Sequence, residues 1–95
     1  MIFEFHYRRQ AEKIIEKNSH LASLDDWERA MASAVRKIRK LEVNSTDVIK
    51  MTGGWEGHWR VRIGTMRAIF RFEGQDLVLV YVERVEFRGK VYRKK

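Results

Sequence analysis

Between His58 and Phe72 the side chains change character at every step, and that rhythm dictates the backbone beneath it. Trp59, Val61 and Ile63 share one parity, while His58, Arg60 and Arg62 share the other. After Gly64-Thr65, Met66, Ala68, Phe70 and Phe72 alternate with Arg67, Ile69 and Arg71. A strand sends successive side chains to opposite faces, so this pattern buries one row and displays the other. Glycine at the break supplies the dihedral that a tight hairpin needs. The segment is therefore read as a β-hairpin with an apolar face and an arginine face, and the rest of the chain must cover the apolar side.

The flanking sequence offers that cover. Ile2 to Phe5 alternates and predicts a short strand. Tyr7, Ala11, Ile14 and Ile15 recur at helical spacing, predicting an amphipathic helix that ends near Asn18. Ser23 or Asp25 caps a second helix, with Asp26 and Glu28 well placed in its first turn. Trp27, Met31, Ala34, Val35, Ile38 and Leu41 form its apolar stripe and are read as core. Glu42 to Asp47 is a polar connection, and Val48 to Met51 a short strand. Glycines 53, 54 and 57 lack the spacing and helix context of a nucleotide-binding loop, so residues 52–57 are read as a mobile loop. A turn at Gly74-Gln75-Asp76 leads into Leu77 to Val82, whose continuous apolar run predicts a central strand. Arg84 to Lys95 is a basic tail with room for one more strand, broken at Gly89. This order gives an α+β fold with two N-terminal helices on one face of a largely antiparallel sheet of four to five strands.

Ninety-five residues suit a single domain over 1–95, and an apolar share of 44% suits a packed core. The formal charge of +7 points to an anionic partner: nucleic acid, an acidic protein or an anionic surface. Residues 58–95 carry ten Lys or Arg against four acidic residues. Arg36-Lys37-Ile38-Arg39-Lys40 forms a second basic zone. The chain has no cysteine, which removes disulfide and thiolate chemistry and fits a reducing, cytoplasmic compartment. No apolar stretch reaches membrane-spanning length and the first residues lack an export pattern, so no membrane partner is expected. His6, His20 and His58 are too scattered for zinc, and neither a metal nor a cofactor is expected.

Arg60 and Arg62 point the same way from one strand, and Arg67 lies just across the turn. Their planar forks stay charged and can grip a phosphate in two places. His58 adds a proton-transfer group at the start of that face. The same pattern also describes an ordinary solvent face above a packed sheet. In the tail, Tyr92 either stacks on a base, donates a hydrogen bond or moves a proton, or else closes the core with its ring. Glu86 is either a surface ion-pair partner or a base. Trp55 caps the sheet, the favoured reading, or stands open for stacking. The nucleic-acid-binding set is Lys50, Arg60, Arg62, Arg67, Arg71, Arg84, Arg88, Lys90 and Arg93.

Val48-Ile49-Lys50-Met51, the run from Trp59 through Arg67 to Phe70, and Arg88-Gly89-Lys90-Val91-Tyr92 together resemble the RelE/ParE toxin superfamily. The resemblance spans nearly the whole chain and implies two helices over a largely antiparallel sheet. RelE-type members cleave messenger RNA in the ribosomal A site and are neutralised by a cognate antitoxin. ParE-type members share the scaffold and target DNA gyrase. The resemblance favours the RelE type and implies metal-independent strand scission on the ribosome. In it Arg67, with Arg60 or Arg62, holds the phosphate, Tyr92 is the general base and Arg88 tunes or orients. His58 and Glu86 are secondary catalytic candidates. Operator DNA would be met only through the antitoxin complex. Phe87 stands where many relatives place histidine, and Glu86 replaces a basic character found nearby in some active members. A ParE-like gyrase inhibitor and a noncatalytic RNA- or ribosome-binding protein are the alternatives.

Overall fold

In the computed structural model, which describes residues 1–43 and 47–87, the alternating segment forms two strands of a five-stranded sheet. The elements run β1 (Ile2–Tyr7), α1 (Arg9–Lys17), α2 (Leu24–Arg39), β2 (Val48–Lys50), β3 (Trp59–Ile63), β4 (Met66–Glu73) and β5 (Leu77–Phe87). Their spatial order is β1-β5-β4-β3-β2. All neighbours are antiparallel except β1 and β5, which run parallel. Parallel partners need a long crossover, and the two helices open the one that separates β1 from β5.

The hairpin forms as its parity requires. Ile63 pairs with Met66 across the turn, and Gly64 holds a φ of 59°. At the next turn Gly74 has a φ of 102°, and an added Cβ would meet the Leu77 carbonyl oxygen at 2.1 Å. Only glycine fits there. Arg39, at the end of α2, donates to the Gly74 carbonyl and lies over the Phe72 ring. The helix thus ties down the β4–β5 turn.

The helices cover the apolar parity of the sheet. Trp27, Met31 and Val35 from α2 meet Met66, Phe70, Val80, Val82 and Val85, all fully buried. Of the two expected caps, Ser23 is used. Its hydroxyl accepts from the Asp26 N–H at 3.1 Å, while the Asp26 carboxylate accepts from the Ser23 N–H at 2.9 Å.

Three boundaries differ from the sequence reading. Tyr7 belongs to β1 rather than the first helix, and its hydroxyl donates to Glu28 of α2 at 2.6 Å. Burial, then this bond, push its phenol far above the ordinary tyrosine range. Leu41 is not core: α2 stops at Arg39, and Leu41 is 92% exposed with a φ of 58°. The Leu41 N–H bonds the Ile38 carbonyl and the Glu42 N–H bonds that of Lys37, a Schellman stop that places Leu41 in the left-handed position. Finally, residues 84–87 are not the start of a separate tail. β5 continues through them, because its pairing passes from Phe70↔Val82 to Ile69↔Arg84 and leaves Glu83 as the extra residue of a bulge. The rest of the tail, with Arg88, Gly89, Lys90, Tyr92 and Arg93, lies outside the described residues. Among the described residues no helix is long and apolar enough to cross a membrane.

Two substitutions test this packing by urea denaturation. Phe70→Ala should cost about 3–5 kcal/mol by emptying the centre of the core. Leu41→Gly should instead stabilise by about 1 kcal/mol, since it relieves a left-handed leucine that packs on nothing.

Candidate functional site

The parity that buries Val61, Ala68 and Val85 under the helices sends Arg60, Arg62, Arg67, Arg84 and Glu86 to the opposite face. Strand register then sorts them into rows. Arg62 stands opposite Arg67, which stands opposite Glu86; one step along, Arg60 stands opposite Ile69, which stands opposite Arg84. Like charges facing each other across strands destabilise a sheet. Both members of the Arg62–Arg67 pair are accordingly compensated. Arg62 reaches Asp47 at 3.2 Å, and Arg67 Nε reaches Glu86 Oε2 at 3.2 Å. The other Glu86 oxygen takes Arg84 Nε at 3.1 Å. Arg67 is the one buried polar or charged residue among the described residues, at 8% exposure. Ile69 is buried on the same face between Arg60 and Arg84.

Toward the other end of the strands lies a second cluster, centred on the bulged Glu83. Arg8 Nε approaches its Oε1 at 2.8 Å, and Arg71 Nε and His58 Nε2 approach Oε2 at 3.4 and 3.9 Å. Burial raises the Glu83 carboxyl, but the Arg8 bond and the charges of Arg8, His58 and Arg71 outweigh it and hold the group below the ordinary glutamate range. Beside it, the Arg71 guanidinium lies 4.1 Å from the centre of the Tyr81 ring, and His6 stacks on that ring at 5.4 Å. His6 also contacts Glu4 at 2.6 Å. A cavity of about 150 Å³ is lined by His6, Tyr7, Arg8, Arg71, Tyr81 and Glu83, with Val82.

The sequence-derived candidates divide accordingly. Arg60, Arg62, Arg67, Arg84 and Glu86 come together. Arg71 and His58 join the Glu83 cluster instead, so His58 is not brought to Arg67. Lys50 pairs with Trp59 and takes the helix-side parity, while Ile49 stands opposite Arg60. Trp55, expected to favour the core, is half-buried outside it and packs edge-on against His58 at 5.1 Å. Tyr92, Arg88, Lys90 and Arg93 lie outside the described residues. The sequence reading missed Arg8, Tyr81 and Glu83 and gave His6 no functional role. Their meeting depends on the parallel pairing of His6 with Tyr81, which has no local signal, and on the bulge, whose one signal is the polar pair Glu83-Arg84 between the buried Val82 and Val85. No three His, Cys, Asp or Glu side chains gather as a metal-holding group among the described residues.

No protein-family model and no curated protein matches the chain. Solved structures do match over almost its full length. A chain of the E. coli DinJ–YafQ toxin–antitoxin complex aligns with a TM-score of 0.59 at 13% identity, over 97% of this chain and 99% of that one. A copper-bound mutant toxin from Helicobacter pylori aligns at 0.58 and 13% identity, over 96% and 99%. A YoeB/ParE toxin from Agrobacterium tumefaciens aligns at 0.52 and 19% identity, over 88% and 96%. At such identities the shared property is the fold. The two helices on a mixed, mostly antiparallel five-stranded sheet are the RelE-like α+β arrangement.

The Glu83 cluster makes a pH-dependent contribution to stability. A carboxylate whose pKa is depressed in the folded state stabilises above its unfolded pKa, and that stability is lost as pH falls through the folded value. Glu83→Gln should therefore lower stability by about 1 kcal/mol at neutral pH. The gap between variant and parent should close below the ordinary carboxylate range, as followed by urea melts across pH.

Proposed function

We propose that this chain is a RelE-type endoribonuclease toxin of the cytoplasm that cleaves messenger RNA in the ribosomal A site and is silenced by a cognate antitoxin protein. The observation that carries the reading is the convergence of Arg62, Arg67 and Arg84 on the sheet face opposite the helices, in a fold shared with bacterial toxins. The antitoxin draws support from the matched DinJ–YafQ structure, which is a toxin–antitoxin complex. A chain of charge +7 also suits an acidic cover. Contact with operator DNA would pass through that complex.

In this reading the substrate 2′-hydroxyl attacks the adjacent phosphorus. The bond to the 5′-oxygen breaks, leaving a 2′,3′-cyclic phosphate and a 5′-hydroxyl. Arg67, flanked by Arg62 and Arg60, stabilises charge gathering on the nonbridging oxygens. A buried guanidinium suits that task because its orientation is fixed before the substrate arrives. Tyr92, as the phenolate that neighbouring cations favour, takes the proton from the 2′-hydroxyl, Arg88 orients the leaving side, and water protonates the departing 5′-oxygen. The ribosome presents the RNA, so the toxin needs no deep pocket of its own.

Controlled expression followed by mapping of new RNA ends on ribosomes tests the reading, with gyrase-dependent DNA breaks measured in parallel. Codon-phased ends are expected, and Arg67→Ala or Tyr92→Phe should each reduce them about 100-fold. Undiminished cleavage by both variants would overturn the assigned roles. Gyrase-linked breaks without RNA ends would make the chain a ParE-like inhibitor, and neither product would leave an RNA- or ribosome-binding protein.

A further inference from the structure

Glu86 occupies an unusual position for an acidic residue on a basic face. Its two oxygens are divided between two arginines: Oε2 meets Arg67 Nε at 3.2 Å, and Oε1 meets Arg84 Nε at 3.1 Å. A phosphate group offers two guanidinium groups the same thing, a pair of neighbouring oxygens sharing negative charge. Arg62 adds a third guanidinium in register beside Arg67. The Glu86 side chain is only 17% exposed and that of Arg67 10%, so the carboxylate sits within the arginine cluster rather than above it.

The contacts are loose for such groups. Charge-assisted bonds between guanidinium and carboxylate typically close to about 2.7–2.9 Å and often use both prongs of the fork. Here each arginine meets Glu86 through its Nε, at 3.2 Å from Arg67 and 3.1 Å from Arg84. Neutralising the buried Arg67 requires an anion. It does not require that anion to reach Arg84 as well, which is half-exposed and gains little from a surface pair. A carboxylate stretched between both is what an anion site holds when its ligand is away.

We infer that Arg67 and Arg84 form a seat for one phosphate group, that Glu86 is its resident occupant, and that an incoming phosphodiester must displace the Glu86 carboxylate to bind. Glu86 then sets how tightly the face holds RNA and does not act as the base. The natural ligand follows from the RNA-cleavage reading above; the seat itself does not depend on it.

Two variants test the seat, Glu86→Gln, which keeps the shape and removes the charge, and Glu86→Ala, which empties the space. Thermal unfolding is compared in inorganic phosphate and in chloride at matched ionic strength. Phosphate should leave the parent nearly unchanged and raise the Tm of both variants by several degrees. Adding Arg84→Gln to Glu86→Ala should abolish that gain. Glu86→Gln should also bind a short single-stranded RNA about tenfold more tightly, with a salt dependence steeper by about one phosphate contact. Variants whose melting ignores phosphate, or RNA binding that is unchanged or weaker in Glu86→Gln, would overturn the seat. Cleavage lost in Glu86→Gln with no gain in binding would make Glu86 the base and leave the toxin reading standing. Tighter phosphate and RNA binding in a chain that yields no ribosome-dependent ends would keep the seat and remove the toxin reading.

Discussion

The register between β3 and β4 is the constraint on which everything else rests. A two-residue turn at Gly64-Thr65 pairs Ile63 with Met66 and so fixes every later pairing in the hairpin. Because side chains alternate, a slip of one residue would turn one strand over against the other, carrying either Arg60 and Arg62 or Arg67 into the helices and exposing Val61 or Ala68 in exchange. The core and the charged face are therefore one decision. The apolar parity that meets Trp27 and Met31 pays for the concentration of arginines behind it.

That concentration is tolerated because it is organised in opposed pairs. Arg62 and Arg67 face each other in register, an arrangement that repels unless each has its own counterion, and Asp47 and Glu86 supply them from different elements. Further along the strands, Glu83 does the same for Arg8 and Arg71. The two acids differ in kind. Glu83 is pushed out by a bulge and locked by three partners from β3's approach, β4 and the start of α1. Glu86 sits at a regular pairing position and is shared between two arginines.

Much of this was legible in the sequence, because it follows from local rules. Alternation from His58 to Phe72 specified the hairpin and which arginines share a face, and Ser23 or Asp25 marked the start of α2, with Ser23 the cap that is used. The errors arose where a distant partner overrode the local pattern. Tyr7 fits a helical spacing, yet β5 recruits it as a strand and Glu28 ties down its hydroxyl. Leu41 falls on the stripe of α2, yet the helix ends two residues earlier. His58 shares parity with Arg60, but the bulge at Glu83 draws it toward a different carboxylate. That bulge does leave a local trace, because Glu83-Arg84 sets two polar residues between the buried Val82 and Val85 where strict alternation places one, but which carboxylate it would bring to His58 depends on distant strands.

The parallel pairing of β1 with β5 carries a consequence for timing. Arg8 meets Glu83, and Gln10 bonds both the N–H and the carbonyl of Val85, contacts that each join residues 75 positions apart. During synthesis, β1 must wait for almost the whole described chain before its partner exists, and contacts of such long separation form late and slowly. The interior strand that carries Arg84 and Glu86 is also the last of the described strands to emerge. The arginine face is therefore incomplete on any nascent chain that has not yet exposed residues 77–87, so whatever that face does waits for β5.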